Sequence, residues 1–263
     1  MFSYHNHSDF SDGRAPAEEM LVSAYNHGIR EYGFSDHFGI WPDGSFEQVS
    51  FTDINKYFEK LQTLRECYAH KINVKFGAEL ENIPETNGEN CKILNRYPID
   101  YIIGGTHYIG KWAFDSSKEE WTVLGKEGIE KKIEEYWDAE YIMCREADID
   151  IVAHFDLYEK WGPLTEKDYT ERLAECVKVC KERGLATEIN TAKRDPLNHF
   201  YPSEKFLKII AEYDIPVILS ADAHYPIHVT QNFEEGKKLF AKYGIKHTAR
   251  FSERKIKIED VKF

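Results

Sequence analysis

Short apolar runs alternate along this chain with longer amphipathic stretches, and no other feature constrains its fold as strongly. The runs are Phe2 to His5, Glu31 to Ser35, Val74 to Ala78, Tyr101 to Gly105, Ile149 to Ala153, Leu185 to Ile189 and Pro216 to Ser220. Each is long enough for one strand, and the stretches after them carry helical spacing. Helices are predicted over Ala17 to Asn26, between Pro16 and Gly28, and over Asp53 to Ala69 with Thr52 as N-cap. Further helices are predicted over Glu89 to Asn95, Glu127 to Glu146, Thr165 to just before Gly184, Ser203 to Tyr213, and Phe233 to Lys242. Tyr108 to Lys126 reads as irregular, and His247 to Phe263 as a short extended piece with a surface segment. Strands alternating with helices call for a parallel sheet covered by those helices. Seven such repeats, where a closed barrel usually has eight, predict an α/β fold of the distorted (β/α)7 TIM-like barrel type. No linker or repeat divides the chain, so residues 1–263 read as a single barrel domain.

The C-terminal ends of barrel strands converge on one face, where active sites are built. Just past the predicted strand ends stand His5 and His7 with Asp12, then Asp36 and His37, Glu79, His107, His154, Asn190, and Asp222 with His224. Every strand but the sixth ends in a potential metal ligand. His5 and His7 are two apart and share one side of an extended strand, and the same is expected of Asp222 and His224. A lone histidine is usually structural, and His27, His70, His199, His228 and His247 keep that reading. Recurrence at strand end after strand end is harder to ascribe to packing, because buried imidazoles and carboxylates need partners. Imidazole with carboxylate, and no thiolate, suits divalent Zn, Mn or Fe. His5, His7, Asp12, His37, Glu79, His107, His154, Asp222 and His224 are too many for one ion, so two or three are expected. Lys193 and Arg194 follow the sixth strand and would hold phosphate oxygens over the same face, unless they form a solvated loop. Arg14, Lys111 and Lys160 follow other strand-end ligands and are candidates for the same role. Gly77 and the pair Gly104-Gly105 precede ligands, where a missing side chain permits close backbone approach.

The 34 basic and 46 acidic residues give a net charge of −12. That balance argues against nucleic acid or an anionic membrane as partner. A small phosphorylated substrate remains compatible, since bound cations reverse the field inside one cleft. No apolar run reaches the ~18 residues of a membrane span, and the N-terminus lacks the pattern of a signal peptide. Five cysteines without CxxC spacing fit a reduced, cytoplasmic setting.

In chain order, His5-Asn6-His7, Ser11-Asp12-Gly13, Ser35-Asp36-His37, Gly77-Ala78-Glu79-Leu80-Glu81, Gly105-Thr106-His107, Ala153-His154-Phe155-Asp156 and Ser220-Ala221-Asp222-Ala223-His224 resemble the motifs of the PHP (polymerase and histidinol phosphatase) family. The resemblance spans residues 5 to 224. Around Thr106-His107-Tyr108 and Glu188-Ile189-Asn190-Thr191 it is most similar to the histidinol-phosphatase branch. The resemblance implies the same seven-stranded barrel and a trinuclear centre. One ion would take His5, His7, Glu79 and Asp222; a second would share Glu79 and add His107 and His154; a third would take Asp12, His37 and His224. It also implies metal-assisted hydrolysis of a phosphate monoester, with L-histidinol phosphate the expected substrate. Bound ions lower the pKa of water toward ~7, and cationic groups neutralise the phosphoryl oxygens. Glu79, Asp222 and His224 are the expected catalytic residues. A metal-bound water, Asp222 or His199 would protonate the leaving group, and Glu81, Asp156 and Trp112 are expected near the amine and imidazole of the substrate. Three alternatives stay open: a family phosphoesterase for another small ester or a nucleotide, a non-catalytic metal-binding module, and amide hydrolysis on a similar barrel.

Overall fold

The predicted alternation folds into a nearly closed ring of parallel strands. A computed structural model describes residues 1–162, 164–192 and 199–261. Its strands are β1 (Phe2–Ser3), β2 (Glu31–Phe34), β3 (His37–Phe38), β4 (Asn73–Glu81), β5 (Tyr101–Gly105), β6 (Tyr108–Ile109), β7 (Trp112–Ala113), β8 (Ile151–Val152), β9 (Ala186–Asn190), β10 (Val217–Ser220), β11 (His247–Ser252) and β12 (Lys255–Asp260). The helices are α1 (Ala17–Asn26), α2 (Ile54–Tyr68), α3 (Asn87–Leu94), α4 (Lys118–Thr122), α5 (Gly125–Glu146), α6 (Thr170–Arg183), α7 (Glu204–Tyr213) and α8 (Phe233–Tyr243). Around the ring the order is β1-β2-β4-β5-β8-β9-β10, with β3 paired to β4. A parallel bridge between Asn6 and Ala223, in which the His7 N–H donates to the Ala223 carbonyl at 2.9 Å, draws the first and last strands together. This is the distorted seven-stranded barrel that the strand count predicts.

Helix faces follow the apolar spacing. On α6, Leu173, Cys176, Val177 and Cys180 are buried, and Gly184 ends the helix at φ 72° in the left-handed region that glycine occupies without strain. Several predicted boundaries move, for local reasons. α2 is capped by Asp53, whose carboxylate accepts from the Lys56 N–H at 3.0 Å, and not by Thr52. α6 starts at Thr170 instead of Thr165. Asp168 accepts from both the N–H and the hydroxyl of Thr170, and Thr165 accepts from the Lys167 N–H, so side chains compete with helical bonding there. The stretch expected to be irregular carries the β6–β7 hairpin and α4. The second strand resumes after a short break as β3, which sets His37 opposite Glu79. No helix among the described residues is long and apolar enough to cross a membrane.

The tail departs most from expectation. β11 and β12 form an antiparallel hairpin, and Ala249 and Phe251 of β11 join Tyr4, Tyr101, Ile103, Ile151, Ala186 and Ile218 in the barrel's own core. The turn residues Glu253 and Arg254 both have positive φ, 51° and 60°, as a two-residue type I′ turn requires. Neither is a glycine, and bonds to the barrel offset the strain: the Glu253 N–H donates to Asp100 Oδ1 at 3.1 Å and Arg254 Nε to Asp150 Oδ2 at 2.6 Å. Higher in the core the Tyr101 hydroxyl donates to the Tyr4 and Phe34 carbonyls. A Cβ on Gly77 would lie 2.3 Å from the Tyr101 ring, so this close approach is why residue 77 is a glycine.

Candidate metal centre

At the C-terminal mouth of the barrel, imidazoles gather round one carboxylate. Glu79, near the end of β4 and 1% exposed, has His5 Nε2 at 3.0 Å, His7 Nε2 at 3.4 Å and His37 Nδ1 at 3.4 Å from Oε2. Its Oε1 faces His154 Nε2 at 3.1 Å and His107 Nε2 at 3.6 Å. Gly105 makes this possible, since a Cβ there would lie 2.4 Å from Glu79 Oε1. Beside this knot, Asp222 Oδ1 lies 3.1 Å from His7 Nε2 and 3.8 Å from His5 Nε2. Asp12 joins His224 at 3.0 Å, His7 at 3.6 Å and His37 at 3.7 Å. His7 is stacked between the rings of His37 and His224.

These residues form four groups whose ligand atoms lie within 4.8 Å of one another: His7, Asp12, His37 and His224; His5, His7 and Asp222; His5, Glu79 and His154; and His37, Glu79 and His107. The structure thus brings together all nine metal-ligand candidates of the sequence, although His7 faces the Asp12 group as well as Asp222. The donor set fits divalent ions. Nε2 of His7 and Oδ1 of Asp12 are buried in the cluster without a hydrogen bond, as the ligand atoms of a divalent ion would be.

The buried charges of the cluster depend on one another. Burial by itself would raise the Glu79 pKa, but His5, His37 and His107 hold it well below the usual carboxylate range. Burial would lower that of His5, yet Glu188, Glu79 and Asp222 carry it well above the usual imidazole value. For His107, burial is outweighed by Glu81 and Glu79, which push it up to about 10. His7 goes the other way: burial, with His224 and His37 beside it, lowers it to about 3, so it stays a neutral donor.

The route by which Asp222 and His224 converge differs from the one expected. β10 ends at Ser220 and Asp222 adopts φ 46°, so a left-handed turn, not extended alternation, brings both side chains to the centre. Asp36 is not among the ligand groups. It is buried and accepts from the Ser8 N–H and the Ser11 hydroxyl, each at 2.7 Å, thereby anchoring the loop that delivers Asp12.

With this geometry in view, the PHP domain pattern matches residues 3–192. The chain belongs to the PHP family. This PHP chain is 28% identical over 243 residues to the probable histidinol-phosphatase of Deinococcus radiodurans, covering 90% of this chain and 91% of that one. It is 26% identical over 274 residues to the histidinol-phosphatase of Lactococcus lactis, covering 96% and 95%. Its fold matches the crystal structure of the histidinol phosphate phosphatase of Lactococcus lactis complexed with zinc, L-histidinol and phosphate, at a TM-score of 0.83, 24% identity and coverage of 97% and 98%.

Around the PHP centre the cationic candidates part company. Lys160 pairs with Asp115 Oδ2 at 2.9 Å. Asp115 is held below its usual pKa, against its burial, by His107, Lys160 and His154, so this pair borders the cluster. Lys111 is exposed and bound to Asp43 Oδ2 at 3.1 Å. Arg14 is exposed, with its N–H donating to the His224 carbonyl at 2.7 Å. Lys193 and Arg194 lie outside the described residues. The groups expected near the substrate's amine and imidazole each have a partner within the chain. Glu81 accepts from His107 Nδ1 at 2.7 Å and from its N–H at 3.0 Å; Asp156 accepts from the Ser203 N–H at 2.7 Å; Trp112 donates to Glu120 and packs on Trp121. His199 gathers with Asp156 and Glu159 in a separate group. Sequence reading overlooked Glu188, which lies inside the sixth strand instead of at its end. The signal was present: a carboxylate in the apolar run Ala186–Asn190 has to find buried partners.

Proposed function

We propose that this PHP-family chain is a metal-dependent phosphomonoesterase that hydrolyses L-histidinol phosphate to L-histidinol and phosphate. The observation that carries the reading is the knot of five imidazoles on the two oxygens of Glu79, flanked by Asp222 and Asp12. The substrate rests on the relatives named histidinol-phosphatase, which match along nearly their whole length. We assign one ion to His5, His7, Glu79 and Asp222, a second to Glu79, His107 and His154, and a third to Asp12, His37 and His224, as zinc, manganese or iron. Such ions supply water that ionises near neutral pH and positive charge against phosphoryl oxygens. Glu79, anionic despite burial, would be a ligand to two of the ions. Asp222, whose Oδ2 accepts from Asn190 Nδ2 at 3.2 Å, stands in the ligand cluster and is our choice for taking the proton lost by the attacking water and passing it to the leaving group; His199 belongs to the other group. Lys160 at the rim, with Lys193 and Arg194 as their sequence position implies, would meet the phosphate. The reading takes residues 1–263 as one domain and places the reaction in histidine biosynthesis in a reducing cytoplasm. Five free cysteines, four of them buried, support that setting.

The test is phosphate release from L-histidinol phosphate by protein prepared with Mn or Zn, beside a chelated control and a panel of nucleotide phosphates. Chelator-sensitive turnover confined to histidinol phosphate is expected. Glu79→Ala and His154→Ala are expected to lose metal and activity together while keeping the fold, and full activity in either would sink the assignment. Turnover of a different ester would keep the metal chemistry and discard the substrate. Metal binding without turnover of any ester would favour a binding module.

A further inference from the structure

We infer that Glu188 is a positioning residue that sets the affinity of the ions on Glu79, by holding His5 through its ring and His154 through its backbone. The inference rests on the metal-binding part of the reading above and not on its substrate. Glu188 is wholly buried on β9 and belongs to none of the ligand groups. Four donors surround its carboxylate. His5 Nδ1 lies 3.0 Å from Oε2, the Ser220 hydroxyl donates to Oε2 at 2.5 Å, Asn190 Nδ2 donates to Oε1 at 3.0 Å, and the His154 N–H donates to Oε1 at 3.2 Å.

A carboxylate accepts about four hydrogen bonds, so this one is filled and its orientation determined. By accepting from Nδ1–H it would fix the tautomer of a metal-bound His5 and leaves Nε2 as the atom turned to Glu79 Oε2, at 3.0 Å. By holding the His154 N–H it sets where that residue leaves the barrel, and His154 Nε2 then meets the other oxygen of Glu79 at 3.1 Å. One carboxylate thus places a ligand on each side of the shared one. Glu81 does the same for the ring of His107. An imidazole with an anion behind it is fixed in direction and is a more basic donor, and losing such a partner typically costs 10–100-fold in metal affinity. None of Asp12, His37 and His224 is among the partners of Glu188, so an ion held there should not sense it.

The experiment uses the full chain, stripped of metal and titrated with Zn or Mn against a chelating dye, with bound metal per chain counted by elemental analysis and no substrate present. Glu188→Gln keeps the shape and an acceptor for Nδ1–H but removes the charge. Binding of the ions on Glu79 is expected to weaken 10–100-fold, with the remaining ion within about twofold of wild type. Unchanged affinity for every ion, or equal weakening of all of them, would overturn the proposal. If the variant does not fold, as judged by circular dichroism, Ser220→Ala decides. It removes one donor to Glu188 and leaves the His5 contact, so a several-fold loss on the same ions is expected, and no change overturns the proposal. Absent phosphatase activity in a wild-type chain that binds metal counts against the proposed reaction and leaves Glu188 untouched; a wild-type chain that binds no divalent ion overturns both.

Discussion

Gly105 has no side chain because Glu79 Oε1 occupies the space one would need, 2.4 Å from where a Cβ would sit. Gly105→Ala must therefore push the shared carboxylate away from His154 and His107. We expect metal content to fall and the phosphatase rate to drop at least about tenfold, since misplacing a reacting group by about 1 Å costs ~100-fold. Metal per chain and kcat measured on one preparation check this, and a fully loaded, fully active variant would contradict the placement of Glu79. Most of the centre is legible at this scale, because His, Asp and Glu at strand ends have few structural uses. What a residue's type does not convey is its conformation. Asp222 at φ 46° accepts local strain of order 1–2 kcal/mol, and the neighbouring Asn6–Ala223 bridge holds it there.

Among the elements, α5 carries the least expected group. Its buried stripe is Ile133, Tyr136, Trp137, Glu140, Met143 and Cys144, a helical spacing with a carboxyl in its middle. Burial pushes Glu140 up from the usual 4.5 to about 8, the neighbouring Thr106 and Tyr136 acting in the other direction. Between those two values the folded chain holds a proton that the unfolded chain has lost. This contribution to stability is therefore complete below about pH 4.5 and drains away as pH rises toward about 8. Glu140→Gln removes the dependence. Relative to wild type the variant should gain on the order of 1 kcal/mol or more between pH 5 and pH 8, because each tenfold difference in proton affinity between folded and unfolded chain is worth ~1.4 kcal/mol. Urea unfolding of both chains at the two pH values measures it, and a constant difference would mean that Glu140 does not titrate there.

For the molecule as a whole, chemistry and closure lie at opposite ends of the barrel. The ligands crowd the C-terminal mouth, while the β11–β12 hairpin seals the other end with Phe251, edge-on to Tyr4 at 5.5 Å between ring centroids. Phe251→Ala should cost ~3–5 kcal/mol of stability, as truncation of a buried phenylalanine does. Metal content and kcat should stay near wild type wherever the variant is folded. Thermal melting beside a metal assay separates the two, and loss of metal from a folded variant would show that the floor and the mouth are coupled. The order of residues is enough to set the alternation of strands and helices, and with it a seven-stranded barrel. It also sets the succession of ligands at the strand ends, because both follow from local periodicity and the chemistry of side chains. It took the folded arrangement to choose which imidazoles share Glu79, to stand Glu188 and Glu81 behind His5 and His107, and to fold the tail under the barrel. Those outcomes depend on the register between strands remote in sequence and on the need of each buried charge for a partner, and neither is written in the residues nearby.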